Sequence, residues 1–363
     1  MEESQTLVSN LIDNPDLWQD VVQNQVGRVS SRAAWDDNDL KTGKQSVWNA
    51  DNLIPRISPD GAIENMLPFL TKIPSWVPLA FQPWKAQEIS RYNTERNFWL
   101  GQLEKVRHNE RENETPTSWM GKFLFAKDGK AHGISSEEEA GYSVGMLAMI
   151  GSVLLSSPLQ NLLLAFCFYP EWQKKAQDEI EMRCGDQVPS FSDIEKLPIV
   201  RALLREVFRW RPPVPLGVPH VLEQDDIFEG FFIPKGTILL AAEWALTREE
   251  TIYPDPETFR PERWLDPSFP TYREPLTQYP EIKGHSGFGY GGRTCVGQSF
   301  SEIVLFTMTV TLLSRCNVVR KKDPTSGKDV DIPWMDIPPP HAIVRPAWFS
   351  LDIKSRHEVP YKE

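Results

Sequence analysis

Residues 288–297 read FGYGGRTCVG and hold one cysteine, Cys295, two places after Arg293 and among Gly289, Gly291, Gly292 and Gly297. A thiolate is a nucleophile and a soft metal ligand, and nearby cations and backbone N–H groups favour the anion. Glycine loses more backbone entropy on folding than other residues, so this density of glycines demands sharp turns or a partner pressed against the main chain. Upstream, Glu206 and Arg209 are three apart, which sets them on one face of a helix. Alone on a surface helix, such a pair stabilises little. Between the pair and the cysteine lies FRPERW (259–264), an arginine and a glutamate framed by prolines and aromatics.

In this order the three motifs resemble the cytochrome P450 family of haem-thiolate enzymes. Phe288, Gly291, Arg293, Cys295 and Gly297 match the family's F-x-x-G-x-R-x-C-x-G loop in full. Glu206 and Arg209 match its E-x-x-R, and Pro261, Glu262, Arg263 and Trp264 match its P-E-R-[FW]. The resemblance runs from about residue 140 to about residue 320, and more faintly back to the start. It implies that Cys295 is the axial ligand of the haem iron, where a thiolate pushes electron density onto the metal and favours O–O cleavage. It further implies that Phe288 screens the sulfur and that Gly291 and Gly297 let the loop lie against the macrocycle. Arg293 is expected to pair with a haem propionate, with His220 in VPLGVPH as the second propionate partner. Glu206, Arg209 and Arg263 are expected to form a buried salt-bridged network under the haem. The other five histidines show no ligand-like grouping and are expected at the surface or in loops.

Two departures from the family pattern matter. Its distal helix carries [AG]-G-x-[DE]-T, whose acid and alcohol relay protons during dioxygen activation. With the register set by LQNLLLAF and YPEWQKKAQDEI, the equivalent stretch is Ile150, Gly151, Ser152, Val153 and Leu154. Val153 stands at the place of the acid and Leu154 at that of the threonine. An apolar pair relays no proton, so water, a substrate hydroxyl, Ser152 or Ser156 must serve instead. Pro158 in the same helix is expected to kink it. Either the stretch is degraded or misread, or the chemistry needs no protonation of dioxygen. The second departure is length. Met1 falls near the family's fourth helix, so an anchor, most of the larger sheet, the loop roofing the substrate and a propionate-gripping helix are expected to be missing. The chain reads as a fragment, a gene with a misplaced start, or a natural truncation.

The elements that must position these residues are mostly helical. The pattern predicts helix from Gln5 to Trp35, with a fresh start near Leu17 at Asn14-Pro15-Asp16. Residues 36–83 read as mixed and turn-rich, and a charged helix is predicted from about Lys85 to Glu112. Ser135 to Glu138 reads as a capping box opening a long apolar helix, about 136–168. A helix closed by Gly185 follows, and then one over about 198–210 that carries Glu206 and Arg209 and stops at Pro212-Pro213. Residues 214–241 alternate like short strands, with a turn at Pro234-Lys235-Gly236. A last helix is predicted from about Ser299 to Ser314. The fold class is mainly α with a small β part, a P450 fold lacking its N-terminal portion, and residues 1–363 read as a single incomplete catalytic domain.

Bulk properties bound the rest. The chain is 40% hydrophobic and 25% charged, as globular proteins are, and carries a formal charge of −11. That balance, with no basic stripe, argues against a nucleic-acid partner. Four scattered cysteines without a C-x-x-C pair suggest neither a disulfide framework nor a zinc site. The acidic start is no signal peptide or anchor, so localisation stays open, although the resemblance implies the endoplasmic-reticulum membrane. The apolar stretch 144–169 approaches a bilayer span, but serines, Pro158, Gln160 and Asn161 at its centre make it a buried core helix, leaving the chain without a transmembrane segment. The resemblance implies a monooxygenase of the fungal microsomal type that hydroxylates or epoxidises an apolar small molecule in secondary metabolism. Haem is its cofactor, with NADPH and dioxygen used through a partner NADPH-cytochrome P450 reductase. The alternatives are a haem-dependent isomerase or dehydratase, and an inactive haem-binding remnant.

Overall fold

The protein is described by a computed structural model covering residues 1–58, 61–109, 116–126, 133–272, 284–338 and 342–356. In chain order its helices are α1 (Glu2–Asp13), α2 (Trp18–Trp35), α3 (Leu40–Ile57), α4 (Ile63–Met66), α5 (Pro83–Asn109), α6 (Trp119–Leu124), α7 (Glu137–Phe168), α8 (Pro170–Cys184) and α9 (Pro198–Trp210). Strands β1 (His220–Val221), β2 (Asp226–Phe228), β3 (Phe231–Ile233) and β4 (Ile238–Leu239) precede α10 (Glu243–Leu246), α11 (Gln298–Arg315), β5 (Cys316–Arg320) and β6 (Leu351–Ser355). The chain divides into two compact units, Leu17–Ser156 and the combination of Met1–Asp16 with Ser157–Glu363.

In the first unit α2 and α3 approach through a pair of glycines. A Cβ on Gly27 would lie 2.7 Å from the Gly43 carbonyl oxygen, and one on Gly43 would lie 2.8 Å from the Arg28 nitrogen. Residues 36–83 therefore hold an 18-residue helix, α3, where the sequence reads as turns. Its Gly43 and Pro55 are helix-breakers by local preference, and packing against α2 overrides them. Asp39 starts α3 by accepting from the Lys41 N–H at 2.9 Å. Trp99 of α5 is buried and meets Tyr142 of α7 edge-on at 4.9 Å. The start of α7 lies one residue beyond the expected capping box. Ser136 Oγ accepts from the Glu139 N–H (3.1 Å), and the Glu139 carboxylate accepts from the Ser135 N–H (2.7 Å).

Among the described residues α7 is the one helix long and apolar enough to cross a membrane, yet 78% of its most apolar window is buried within the protein. It continues through Pro158 to Phe168. In the second unit its end is tied by Ser157 Oγ, which donates to the Val344 carbonyl at 2.6 Å, and by Asn161 Nδ2, which donates to the same oxygen at 3.3 Å.

Helices α8, α9 and α11 pack together in that unit, with α1 against α11. Pro198 opens α9, and the Glu179 carboxylate of α8 accepts from the otherwise orphaned N–H groups of Ile199 (3.0 Å) and Val200 (3.2 Å). Among the described residues the small β part is three two-stranded antiparallel sheets: β1 with β4, β2 with β3, and β5 with β6. The β2–β3 hairpin turns at Glu229 (φ 49°) and Gly230 (φ 85°), a second turn beside the expected one at Pro234–Gly236.

Candidate functional site

Short 3-10 turns bracket the cysteine loop, at Ser286–Phe288 and Gly291–Arg293, before α11 begins at Gln298. Gly289 (φ 81°) and Gly291 (φ 59°) adopt the left-handed backbone that side chains with a Cβ resist. These turns let the Cys295 N–H reach back to the Phe288 carbonyl at 2.8 Å, and Thr294 Oγ1 donates to the Gly291 carbonyl at 2.7 Å. Cys295 is exposed, and its Sγ accepts from the Gly297 N–H at 3.3 Å. Phe288 lies buried behind the loop, 5.2 Å from the Phe208 ring, while Val296 is 86% exposed. Arg293 ends the second turn with its side chain exposed, and His220 is exposed on β1 opposite Leu239.

Glu206, Arg209 and Arg263 meet, and all three side chains are fully buried. Both Glu206 oxygens hold the Arg209 fork, and Oε1 also takes the Arg263 Nε at 3.3 Å and the Arg260 N–H at 2.8 Å. The remaining Arg209 donors reach the carbonyls of Thr247 (3.1 Å), Pro256 (2.7 Å) and Thr258 (3.2 Å). Arg263 donates to the carbonyls of Pro254 and Asp255. Burial pulls the Arg263 guanidinium below its ordinary range, and the Glu206 charge opposes that. One helix thus grips the segment from Thr247 to Trp264 at several of its carbonyls and side chains.

Sequence reasoning misses Glu243 and His285 here, and names Trp264 only as part of a motif match without its hydrogen bond. Trp264 Nε1 donates to Glu206 Oε2 at 3.0 Å, a role hinted at by the aromatic beside Arg263. Glu243 of α10 is 2% exposed and accepts from Ser286 Oγ and, at 3.3 Å, from the Tyr290 hydroxyl. Its signal is a lone acid in the apolar run ILLAAEWAL. His285 lies in a loop, as expected of the remaining histidines, but is buried there: it is 6% exposed among Phe208 and Trp264, and its Nδ1 accepts from the Gly287 N–H at 3.0 Å. Burial and the charges of Arg205 and Arg209 push its imidazole down to about 3. His132, His341 and His357 lie outside the described residues.

On α7, Met146 and Leu147 are exposed and Ile150 and Leu154 are partly buried, an apolar stripe at helical spacing. Val153 and Ser152 are fully buried instead, so the five residues 150–154 do not share one face. Ser152 Oγ donates to the Met149 carbonyl (2.6 Å) and Ser156 Oγ to the Val153 carbonyl (2.8 Å). Both hydroxyls are committed to their own helix. In the other unit a cavity of about 390 Å³ is lined by Pro215, Trp244, Met335, Asp336, Ile337 and Val344.

A family model described as Cytochrome P450 matches residues 63–339. Cytochrome P450 monooxygenase psoD of Aspergillus fumigatus is 33% identical over 312 residues, 84% of this chain and 57% of its own length. Cytochrome P450 monooxygenase 58 of Postia placenta is 28% identical over 360 residues, 98% of this chain and 66% of its own. The chain therefore spans roughly three fifths of the length of such curated relatives. A zebrafish cytochrome P450 solved with abiraterone superposes with a TM-score of 0.71, over 98% of this chain and 76% of that one, at 21% identity. That likeness bears on the fold.

Proposed function

The chain belongs to the cytochrome P450 family, and we propose that residues 1–363 act together as a haem-thiolate monooxygenase that hydroxylates or epoxidises an apolar small molecule in fungal secondary metabolism. The family implies haem. The residues present fit that group: a solvent-open sulfur takes a backbone N–H, and Gly291 and Gly292 have no atom within 4 Å of where a Cβ would stand. A flat macrocycle needs such room against the main chain. Haem bound here supplies dioxygen activation, with electrons drawn from NADPH through a partner reductase.

In this reading Cys295 is the iron ligand, and the Gly297 N–H stabilises its negative charge. Phe288 keeps water from the proximal side. Arg293 and His220, both exposed, hold propionates. Glu206, Arg209 and Arg263 keep the segment before the loop in place. The observation that carries the reading is the cysteine loop itself, whose turns leave Cys295 Sγ open on one side and hydrogen-bonded on the other.

A second reading has its own support. The stripe of Met146, Leu147, Ile150 and Leu154 offers no proton donor, and the Ser152 and Ser156 hydroxyls are already used. A helix that delivers no proton to dioxygen suits a rearrangement or dehydration, or a reaction whose substrate or water brings the proton.

The test is a carbon-monoxide difference spectrum of the reduced, haem-supplemented full chain beside Cys295→Ala. A long-wavelength Soret band in the unaltered chain, absent from the variant, supports the thiolate reading. A short-wavelength band in both overturns it. Incubation with a reductase and labelled dioxygen then separates the readings, because label enters the product only in monooxygenation.

A further inference from the structure

The Glu243 carboxylate lies in α10, outside the cysteine loop, yet its two oxygens are used entirely within that loop. Oε1 accepts from Ser286 Oγ, and Oε2 accepts from the Tyr290 hydroxyl at 3.3 Å. These donors stand two residues to either side of Phe288. The Phe288 carbonyl receives the Cys295 N–H at 2.8 Å, and the Ser286 carbonyl receives the Gly289 N–H at 2.8 Å. Holding Ser286 and Tyr290 thus fixes the peptide that orients Cys295.

The other end of α10 is tied to the buried ion network. The Glu243 carbonyl accepts from both the N–H and the Oγ1 of Thr247, each at 3.0 Å, and the Thr247 carbonyl accepts from Arg209 at 3.1 Å. Hydrogen bonds and the short lengths of chain between them therefore link Glu206 and Arg209 to the cysteine loop through one short helix. A carboxylate that is 2% exposed loses its hydration, and replacing Glu243 by a hydrocarbon of its size would remove that penalty. With both carboxylate oxygens taken up by the loop, the acid suits a task that its charge or its acceptor geometry performs. Burial pushes the carboxyl above its ordinary value, and the two hydroxyls oppose that.

Building on the haem-thiolate reading, we propose that Glu243 is a positioning residue that clamps the loop at Ser286 and Tyr290 so that Cys295 presents its sulfur in ligand geometry. It touches no reacting atom and acts through Phe288.

The test uses the full chain with Glu243→Gln, Ser286→Ala and Tyr290→Phe, and Ser286→Thr as the variant that keeps the hydroxyl. In the haem-free protein, amide hydrogen exchange over 288–297 should rise about tenfold in Glu243→Gln and Ser286→Ala, as expected for loss of a charge-assisted bond. Exchange in α1 should stay unchanged, and Ser286→Thr should restore protection. The double variant Glu243→Gln/Ser286→Ala should add little to the larger single effect, since both remove one contact. In the haem-loaded protein the same variants should convert the long-wavelength carbon-monoxide band to the short-wavelength form about tenfold faster. Exchange over 288–297 within twofold of the unaltered chain, full additivity in the double variant, or acceleration spread evenly over the molecule overturns the clamp. If Glu243→Gln does not fold, the Ser286 and Tyr290 variants decide. Absence of the long-wavelength band from the unaltered chain counts against the haem reading alone, because the exchange arm needs no haem.

Discussion

Glu206 grips Arg209 through both carboxylate oxygens, at 2.7 and 3.0 Å, from one turn earlier on the same helix, and neither side chain has any solvent exposure. The fork geometry matters because Arg209 also serves three carbonyls in the irregular segment that follows. Lysine has neither the planar fork nor enough donors to replace it. Arg209→Lys should therefore destabilise the protein by about 3 kcal/mol or more, as should Glu206→Gln. Urea unfolding followed by tryptophan fluorescence measures this, and a loss under about 1 kcal/mol would show that the network is dispensable.

Val153 and Leu154 occupy the places of the relay acid and alcohol, but their surroundings differ. Val153 is fully buried, so Val153→Asp should cost several kcal/mol through an unpaired buried carboxylate. Leu154 is partly buried on the apolar stripe, and Leu154→Thr should cost about 1 kcal/mol or less. Thermal unfolding of the two variants tests the contrast. Equal, small costs would mean that this part of α7 is looser than its burial implies.

Glu179 gives a pH dependence. Burial pushes its carboxyl up to about 7 from an ordinary 4.5, against the opposing N–H bonds of Ile199 and Val200. The folded state therefore binds a proton more tightly than the unfolded chain. The resulting stabilisation is complete below about pH 4.5 and fades as pH rises through about 7. Between those limits the stability of the unaltered chain should fall by roughly 3 kcal/mol relative to Glu179→Gln. Chemical denaturation of both proteins across that range reads it directly, and a flat or rising difference would contradict it.

The glycine contact between α2 and α3 admits no side chain. A Cβ on Gly43 would press on the backbone of Arg28, which cannot rotate aside. Gly43→Ala should cost about 1–3 kcal/mol by overpacking, despite the better helix propensity of alanine. Gly101→Ala, in α5 with no neighbour near its Cβ position, should be neutral or mildly stabilising. If Gly43→Ala also stabilises, α2 and α3 can separate without loss.

The legible features were those encoded by local spacing or by a residue with one physical use. The α9 register followed from Ile199, Leu203, Val207 and Trp210 and from the prolines after it, and α8 ends before Gly185 as expected. The cysteine loop was visible because glycine at positive φ leaves a mark in composition. Helix α3 was hidden because Gly43 and Pro55 oppose it locally, while the packing that forms it involves residues about fifteen positions away. Glu243 was hidden for a similar reason: its donors lie more than forty residues downstream. The burial of His285 depends on Phe208 and Trp264, which spacing along the chain does not bring to mind.

The threading of the chain through its two units has a consequence for synthesis. Leu17–Ser156 is one uninterrupted stretch, and all of it is synthesised before the residues from Ser157 onward. The other unit includes residues 1–16, and partners of theirs are translated much later. Lys321 reaches Asp16 at 2.8 Å, and Trp348 Nε1 donates to the Asp16 carbonyl at 3.1 Å. Helix α1 must then wait through some three hundred codons with its apolar face uncovered. In the cell that interval is the period when this polypeptide most needs a chaperone, and slow codons before β5 would lengthen it.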